Sequence, residues 1–421
     1  MSMIKKLTSN EFNKNVIKLL TGATIAQAIP IAISPILTRL YTPNDFGVLA
    51  LFVAITTIFG SIANARYELA IVLPEKEEDA INLVALSILI STSLSLILFV
   101  IVIFLKDIIL VILDNQEISF WLYFSPLVVF FIGLFNALNY MHTRLKNFGL
   151  ISKVNIIRSI GLSIIQLSFG FLKLGVGGLI SGQIFSHLIA NTRLIKNIIN
   201  DKQLIKAITV DEMVRLSKRY SDFPKYSMWA ILANTLSKHI NSVFIASLYS
   251  TSILGYYSLT QRILGVPINL MGQTIGQVFF REATKEKKQK GNAYRTFKST
   301  FIKLLLISIP LFSFLFFFIE DLISFVFGED WIIAGVYAKI ILPLMMMRFI
   351  MVPLSLINVV FERQRVELLW QASFLILTIS IFFISNFLSL NIEGFLTSLS
   401  IILSLHYFVL FFITLNVSKN N

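Results

Sequence analysis

The chain has no cysteine, so disulfides and thiolate metal sites are excluded. Charge is also scarce: 14% of its 421 residues are Asp, Glu, Lys or Arg, against roughly a quarter in soluble globular proteins. Its four histidines, His142, His187, His239 and His406, lie far apart with no metal-ligand spacing. No Gly-rich phosphate loop, paired acids or nucleophile-and-base arrangement is present, so no enzyme signature stands out and no cofactor is expected. What fills the chain instead is apolar. Hydrophobic residues make up 56%, 38 of them Phe, and mean hydropathy is +0.79.

A spanning helix needs about 20 mostly apolar residues. Apolar stretches of that length fall at about 17–38, 46–66, 80–104, 119–142, 151–171 and 174–196. After a polar gap they resume at about 226–248, 253–279, 299–319, 332–358, 365–387 and 394–416. Twelve helices consume nearly the whole chain and leave no room for a sizeable soluble domain. Lys5, Lys6, Lys14 and Lys18 ahead of an apolar run resemble a signal peptide, with Ala26-Gln27-Ala28 as a loose cleavage site. The run continues through Ile36 and Leu37, so it reads as an uncleaved first span.

The formal charge is +13. In a soluble chain that would suggest nucleic acid, but cytoplasmic loops of membrane proteins collect Lys and Arg. With the N-terminus inside, inner segments carry 29 of the 36 Lys and Arg, outer segments three (Arg39, Lys106, Lys173), and spans the other four. That asymmetry predicts both termini inside, an even helix count and no nucleic-acid partner. The longest outer link, Lys106 to Ser119, is expected to be a loop too small for a catalytic site.

The polar stretch Asn197 to Asp222 divides the chain near its middle. The expected domains are residues 1–205 and 206–421, each a lobe of six helices. Leu40, Tyr41, Gly47 and Leu51 recur 208 residues on as Leu248, Tyr249, Gly255 and Leu259. The match sits at the equivalent outer turn of each half, so the fold class is an all-α polytopic membrane protein built as a parallel repeat.

An ionisable group at a helix centre costs about 2.5–3.5 kcal/mol on insertion scales, so it faces a cavity or a partner. Lys238 and His239 fall midway along the seventh stretch. Arg262 falls about 13 Å into the eighth, from the opposite side. No acid occupies the interior of either stretch. The pair therefore suggests a cationic cavity for an anionic substrate; the competing reading has them snorkelling or pairing elsewhere. Arg348, Arg39 and Arg66 are further binding candidates or interfacial anchors, and Lys339 reads as an anchor.

Amides at spacings of three, four or seven share helix faces: Asn136 and Asn139, Asn234 and Asn241, Asn269, Gln273 and Gln277. They either line a route for hydroxyl-rich substrate, with Asn234 and Gln273 as binding candidates, or hydrogen-bond between helices. Prolines at membrane depth interrupt the first stretch (Pro30, Pro35), the eighth (Pro267, beside Gly265) and the tenth (Pro343, Pro353). Proline removes a helical hydrogen bond, so Pro30, Pro35, Pro267 and Pro343 are candidate hinges, or packing kinks.

Several motifs carry a resemblance. Ser34-Pro35-Ile36-Leu37-Thr38-Arg39-Leu40-Tyr41-Thr42-Pro43-Asn44-Asp45-Phe46-Gly47 resembles the opening of Wzx-type polysaccharide flippases, in the multidrug/oligosaccharidyl-lipid/polysaccharide (MOP) superfamily. So do Arg66-Tyr67-Glu68-Leu69-Ala70, Asp222-Phe223-Pro224-Lys225-Tyr226, and Gly255-Tyr256-Tyr257-Ser258-Leu259 followed by Gln261-Arg262 and Pro267. The resemblance covers helices one to eight; beyond residue 300 only the topology agrees.

It implies a flippase for undecaprenyl-diphosphate-linked oligosaccharide in the bacterial inner membrane, serving O-antigen, capsule or a related glycan. The implied partners are that glycolipid, membrane lipids, and polysaccharide polymerase and chain-length machinery. Such relatives are thought to use an ion gradient, for which Glu68 at the inner rim is the nearest candidate carrier. Two other classes stay open: a cation-coupled small-molecule antiporter of the multidrug (MATE) type, which needs cavity acids, and a membrane-embedded glycan polymerase or ligase, which needs a long periplasmic loop. A non-transporting scaffold is a further reading.

Overall fold

The computed structural model describes residues 11–113 and 115–419, without the side chains of 11–20, 197, 267, 269–271, 273, 274 and 364. The described residues form helices and turns with no strand. A helix closes every backbone hydrogen bond within itself, which lipid requires of an isolated span. Nine helices among the described residues are long and apolar enough to cross a membrane.

The long helices are α1 (Glu11–Ala32), α2 (Ser34–Leu40), α3 (Pro43–Gly60), α4 (Glu77–Leu113), α5 (Ser125–Arg144), α6 (Phe148–Phe171), α7 (Val176–Ile199) and α8 (Val210–Arg219). They continue as α9 (Met228–Leu248), α10 (Thr251–Lys290), α11 (Tyr294–Phe327), α12 (Ile332–Leu354), α13 (Gln364–Phe387) and α14 (Ile392–Lys419). Each apolar stretch of the sequence coincides with one of these or, for the first, with α1 and α2 together. Contacts divide the chain into two compact units, residues 1–239 and 240–421.

In the first unit, α6 packs on α1 and α7, and α5 packs on α3, α4 and α7. Small residues set the spacing. A Cβ on Gly133 of α5 would meet Ser91 Oγ of α4 at 2.1 Å, so glycine permits that approach. Buried amides then tie the helices together. Asn64 Nδ2 donates to Ser87 O and Gly133 O, both at 3.1 Å, and Asn191 Nδ2 to Phe131 O at 3.0 Å. His142 Nε2 lies 2.9 Å from Leu194 O. For these groups, hydrogen bonding between helices is the observed role.

Two span ends are corrected here. The second span ends at Gly60, not residue 66, because the chain turns through 61–66 with Ala65 and Arg66 in the left-handed region. The third runs on to Leu113, so most of the expected outer loop is helix, about 55 Å in all at 1.5 Å per residue; Phe104 and Val111 on it are 79% and 76% exposed. The polar gap near the middle is folded: α8 buries Leu216 against the core of the first unit. Asn82 of α4 donates to Ala207 O and accepts from Thr209 N, at 2.8 and 2.9 Å. Arg215 reaches Asp79 at 2.6 Å.

In the second unit, α12 sits at the centre, packed on α10, α11 and α14. Its face Ala334, Gly335 and Ala338 is small, and a Cβ on Gly335 would stand 2.7 Å from the Glu320 Cα of α11. One turn on, Lys339 pairs with Glu320 at 2.9 Å. α10 continues past its apolar part into a basic end, where Lys287 Nζ donates to Val360 O at 2.8 Å. Gly291 closes it in the left-handed conformation at φ 77°, a position that suits glycine.

Candidate functional site

Polar and charged groups at membrane depth occur in both units. In the first, α1 and α2 are separated at Ile33, where Ser34 Oγ donates to Pro30 O at 2.7 Å and Pro35 opens the new helix. Arg39, near the α2 end, is exposed and donates from Nη1 to Pro35 O at 2.7 Å. The expected interruption is therefore present at Pro30 and Pro35. α12 ends at Leu354, one residue past Pro353, while α10 continues as helix through Gly265 and Pro267 and α12 through Pro343. The side chains of Pro267 and Gln273 lie outside the described residues.

Arg66 and Glu68, expected in separate roles, meet each other. Arg66 holds φ 67° just ahead of a 3-10 turn, Tyr67–Val72, which aims its guanidinium at Glu68 Oε1 at 3.1 Å. Its Nε also reaches Ser227 Oγ at 3.4 Å. Glu68 is 2% exposed, and its Oε2 has no hydrogen-bond partner among the described residues. Burial pushes its carboxyl above the usual range, against the opposing pull of Arg66 and of its own backbone N–H.

Lys238 lies ten residues into α9 and is exposed, with His239 beside it half-buried. Arg262 lies eleven residues into α10 and is half-buried. These positions are about 15 Å and 16 Å from the respective helix starts. Lys238, Arg262 and Asn234 each have an interaction partner.

Arg348, six residues from the α12 end, belongs to a buried polar cluster. It lies close to Tyr407 of α14 and Tyr257 of α10. Tyr257 in turn lies close to Asn241 and Gln261. Arg348 Nε and Asn241 Oδ1 are buried with no partner among the described residues, so the cluster keeps unused donors and acceptors. Nearby, His406 Nε2 contacts Ser373 Oγ at 2.8 Å while its ring stacks on Trp370.

One cation escaped the sequence reading. Arg158, one of the 29 cations assigned above to inner segments, lies ten residues into α6, about 15 Å deep. Among the described residues no carboxylate comes within ion-pair distance of it. Its guanidinium stands 5.3 Å from the centre of the Phe135 ring of α5. A cation–π contact contributes about 0.5–2 kcal/mol, against an insertion cost of about 2.5–3.5 kcal/mol. The ring alone does not offset the charge. The usable signal was the expected stretch 151–171, which already contains Arg158; the turn at Lys146 and Asn147 starts α6 earlier still and carries the residue further inward.

These features define a multi-pass, all-helical membrane protein with arginines and amides inside its helical units. Solved structures share the fold. A lipid II flippase, MurJ, in an inward closed conformation aligns with TM-score 0.70 at 13% identity, covering 96% of this chain and 89% of that one. An inward-facing multidrug resistance MATE family transporter of the MOP superfamily aligns with TM-score 0.64 at 13% identity, covering 95% and 94%. The MATE transporter VcmN of Vibrio cholerae gives 0.59 at 14% identity, covering 96% of each.

Among curated proteins, the teichuronic acid biosynthesis protein TuaB of Bacillus subtilis (strain 168) is 22% identical over 270 residues, 63% of this chain. The chain spans about half the length of that relative, 54%. Residues 36–336 match the model of a family described as polysaccharide biosynthesis protein. The chain belongs to that family, with the MOP fold.

Proposed function

We propose that this protein is a flippase carrying undecaprenyl-diphosphate-linked oligosaccharide repeat units from the cytoplasmic to the periplasmic leaflet of the bacterial inner membrane. The product feeds a surface polysaccharide such as O-antigen or capsule. The observation that carries this reading is the polysaccharide biosynthesis family match over residues 36–336, on a fold shared with membrane transporters. The printed names of the relatives agree, one being a teichuronic acid biosynthesis protein and one a lipid II flippase.

In this reading the chain works by alternating access as twelve helices in two lobes, residues 1–205 and 206–421, with both termini cytoplasmic. Lys238 from one lobe helix, and Arg262 and Arg348 from others, supply positive charge to the diphosphate, and His239 beside Lys238 offers it a hydrogen bond. Arg39 and Arg66 act at the two ends of the route, and Asn234 and Gln273 bind sugar hydroxyls. Pro30, Pro35, Pro267 and Pro343 give the helices their bending points. Glu68, buried and raised above the usual carboxyl range, is the group that takes up the coupling ion. Polymerase and chain-length machinery receive the product.

Deletion of the gene is expected to leave a single lipid-linked repeat on the cytoplasmic leaflet and little surface glycan. Lys238→Ala and Arg262→Ala are each expected to cut glycan export severalfold at native protein level, and Lys339→Ala to leave it nearly unchanged because Lys339 is committed to Glu320. Normal glycan in the Lys238/Arg262 double variant would defeat the assigned roles. The MATE neighbours make a small-molecule antiporter the second reading. It requires that overexpression raise resistance to organic cations while deletion leaves lipid-linked intermediates normal.

A further inference from the structure

Arg158 has surroundings that the headgroup assignment above does not use. Three helices of the first unit meet at its level. Phe135 of α5 lies nine residues before the Arg144 end of that helix, Arg158 ten residues after the Phe148 start of α6, and His187 twelve residues before the Ile199 end of α7. All three are therefore about 14–18 Å from the same helix ends. Phe135 covers one side of the guanidinium, and His187 is close enough to feel its charge.

Within this group, hydrogen-bonding capacity goes unused. His187 is 8% exposed and its buried Nδ1 has no partner. Asn191, one turn along α7 and 3% exposed, gives its Nδ2 to Phe131 O but leaves Oδ1 without a donor. Asn139, one turn along α5 from Phe135, leaves a buried Oδ1 in the same state. Among the described residues the guanidinium has neither a carboxylate nor a hydrogen-bond acceptor. Buried polar atoms are ordinarily paired, and a buried charge more so. Four polar side chains on three helices, each with capacity in hand, describe a site built for something else.

We infer that Arg158, with His187, Asn191 and Asn139, forms an oxyanion-binding site inside the first unit. A guanidinium presents a planar fork of donors that matches the two oxygens of a phosphate or carboxylate. The unpartnered amide oxygens of Asn191 and Asn139, one turn from His187 and Phe135 respectively, can accept from hydroxyls. An oxyanion flanked by hydroxyls is the chemistry of a glycolipid headgroup, either its diphosphate or a carboxylate on an acidic sugar. The inference rests on the flippase reading for its ligand, but concerns a different set of residues.

The test uses purified full-length protein in detergent and four probes: undecaprenyl diphosphate, uncharged undecaprenol, inorganic pyrophosphate and glucuronate. The parent protein is expected to bind at least one anionic probe more tightly than undecaprenol. Preference for the diphosphates places the lipid headgroup at Arg158, and preference for glucuronate an acidic sugar. Arg158→Gln is expected to weaken the preferred anion tenfold or more without changing undecaprenol binding, and Arg158→Lys to keep most of the affinity. His187→Ala is expected to weaken the anion threefold to tenfold. Thermal melts of each variant establish that it is folded. A folded Arg158→Gln that binds the anion as the parent does would overturn the site and leave the flippase reading intact. A parent that fails to prefer any anion would overturn both.

Discussion

Glu68, buried, and Arg158, half-buried, show how far apart two charges within the fold can be in their surroundings. Glu68 meets a guanidinium at 3.1 Å, yet burial wins and its carboxyl is raised. A carboxyl raised in the folded state contributes stability that is fully present below its unfolded pKa and is lost as pH climbs through the folded value. Glu68→Gln mimics the protonated form. Its melting temperature is therefore expected to equal that of the parent near pH 4 and to exceed it increasingly as pH rises past the usual carboxyl range. An advantage that shrinks with pH would show Arg66 to dominate instead. Neither environment was legible in the chain. Arg66 and Glu68 are two residues apart, and only the left-handed backbone at Arg66 turns them onto each other. Arg158 falls within the expected stretch 151–171, and what the sequence does not register is the ring of Phe135 that meets it.

Elements extend that lesson. The positions of the spans were readable because bilayer transfer acts residue by residue along the sequence. Their ends were not, since turns such as the one after Gly60 depend on local geometry that hydropathy does not register. The segment around α8 is one on which hydropathy is silent. Its polarity marked a boundary, while its few apolar residues, Leu216 above all, bind it to α4. Asn82 secures it with two hydrogen bonds, each worth about 1 kcal/mol net. Asn82→Ala is expected to open the segment roughly 30-fold more often, about 2 kcal/mol. Limited trypsin digestion should then cut at Lys202 and Lys206 correspondingly faster. Unchanged cleavage would mean that Leu216 alone holds the segment.

For the molecule as a whole, the absence of cysteine offers a direct test of orientation. Lys173→Cys, in the exposed turn between α6 and α7, is expected to react with a membrane-impermeant maleimide in intact cells. Lys288→Cys, on the basic end of α10, is expected to react only after permeabilisation. The opposite pattern would invert the topology drawn from 29 inner and three outer cations. The helical class, the succession of apolar segments and the uneven distribution of Lys and Arg all follow from composition read in order, because each residue meets lipid or water largely on its own account. Which polar groups touch is another matter. Arg348 reaches Tyr407 across 59 residues, and Arg158 lies over Phe135, through the rotation of each helix about its axis and the close approach that small residues such as Gly133 and Gly335 allow. Those quantities arise only when helices pack, and on them the chemistry of the interior depends.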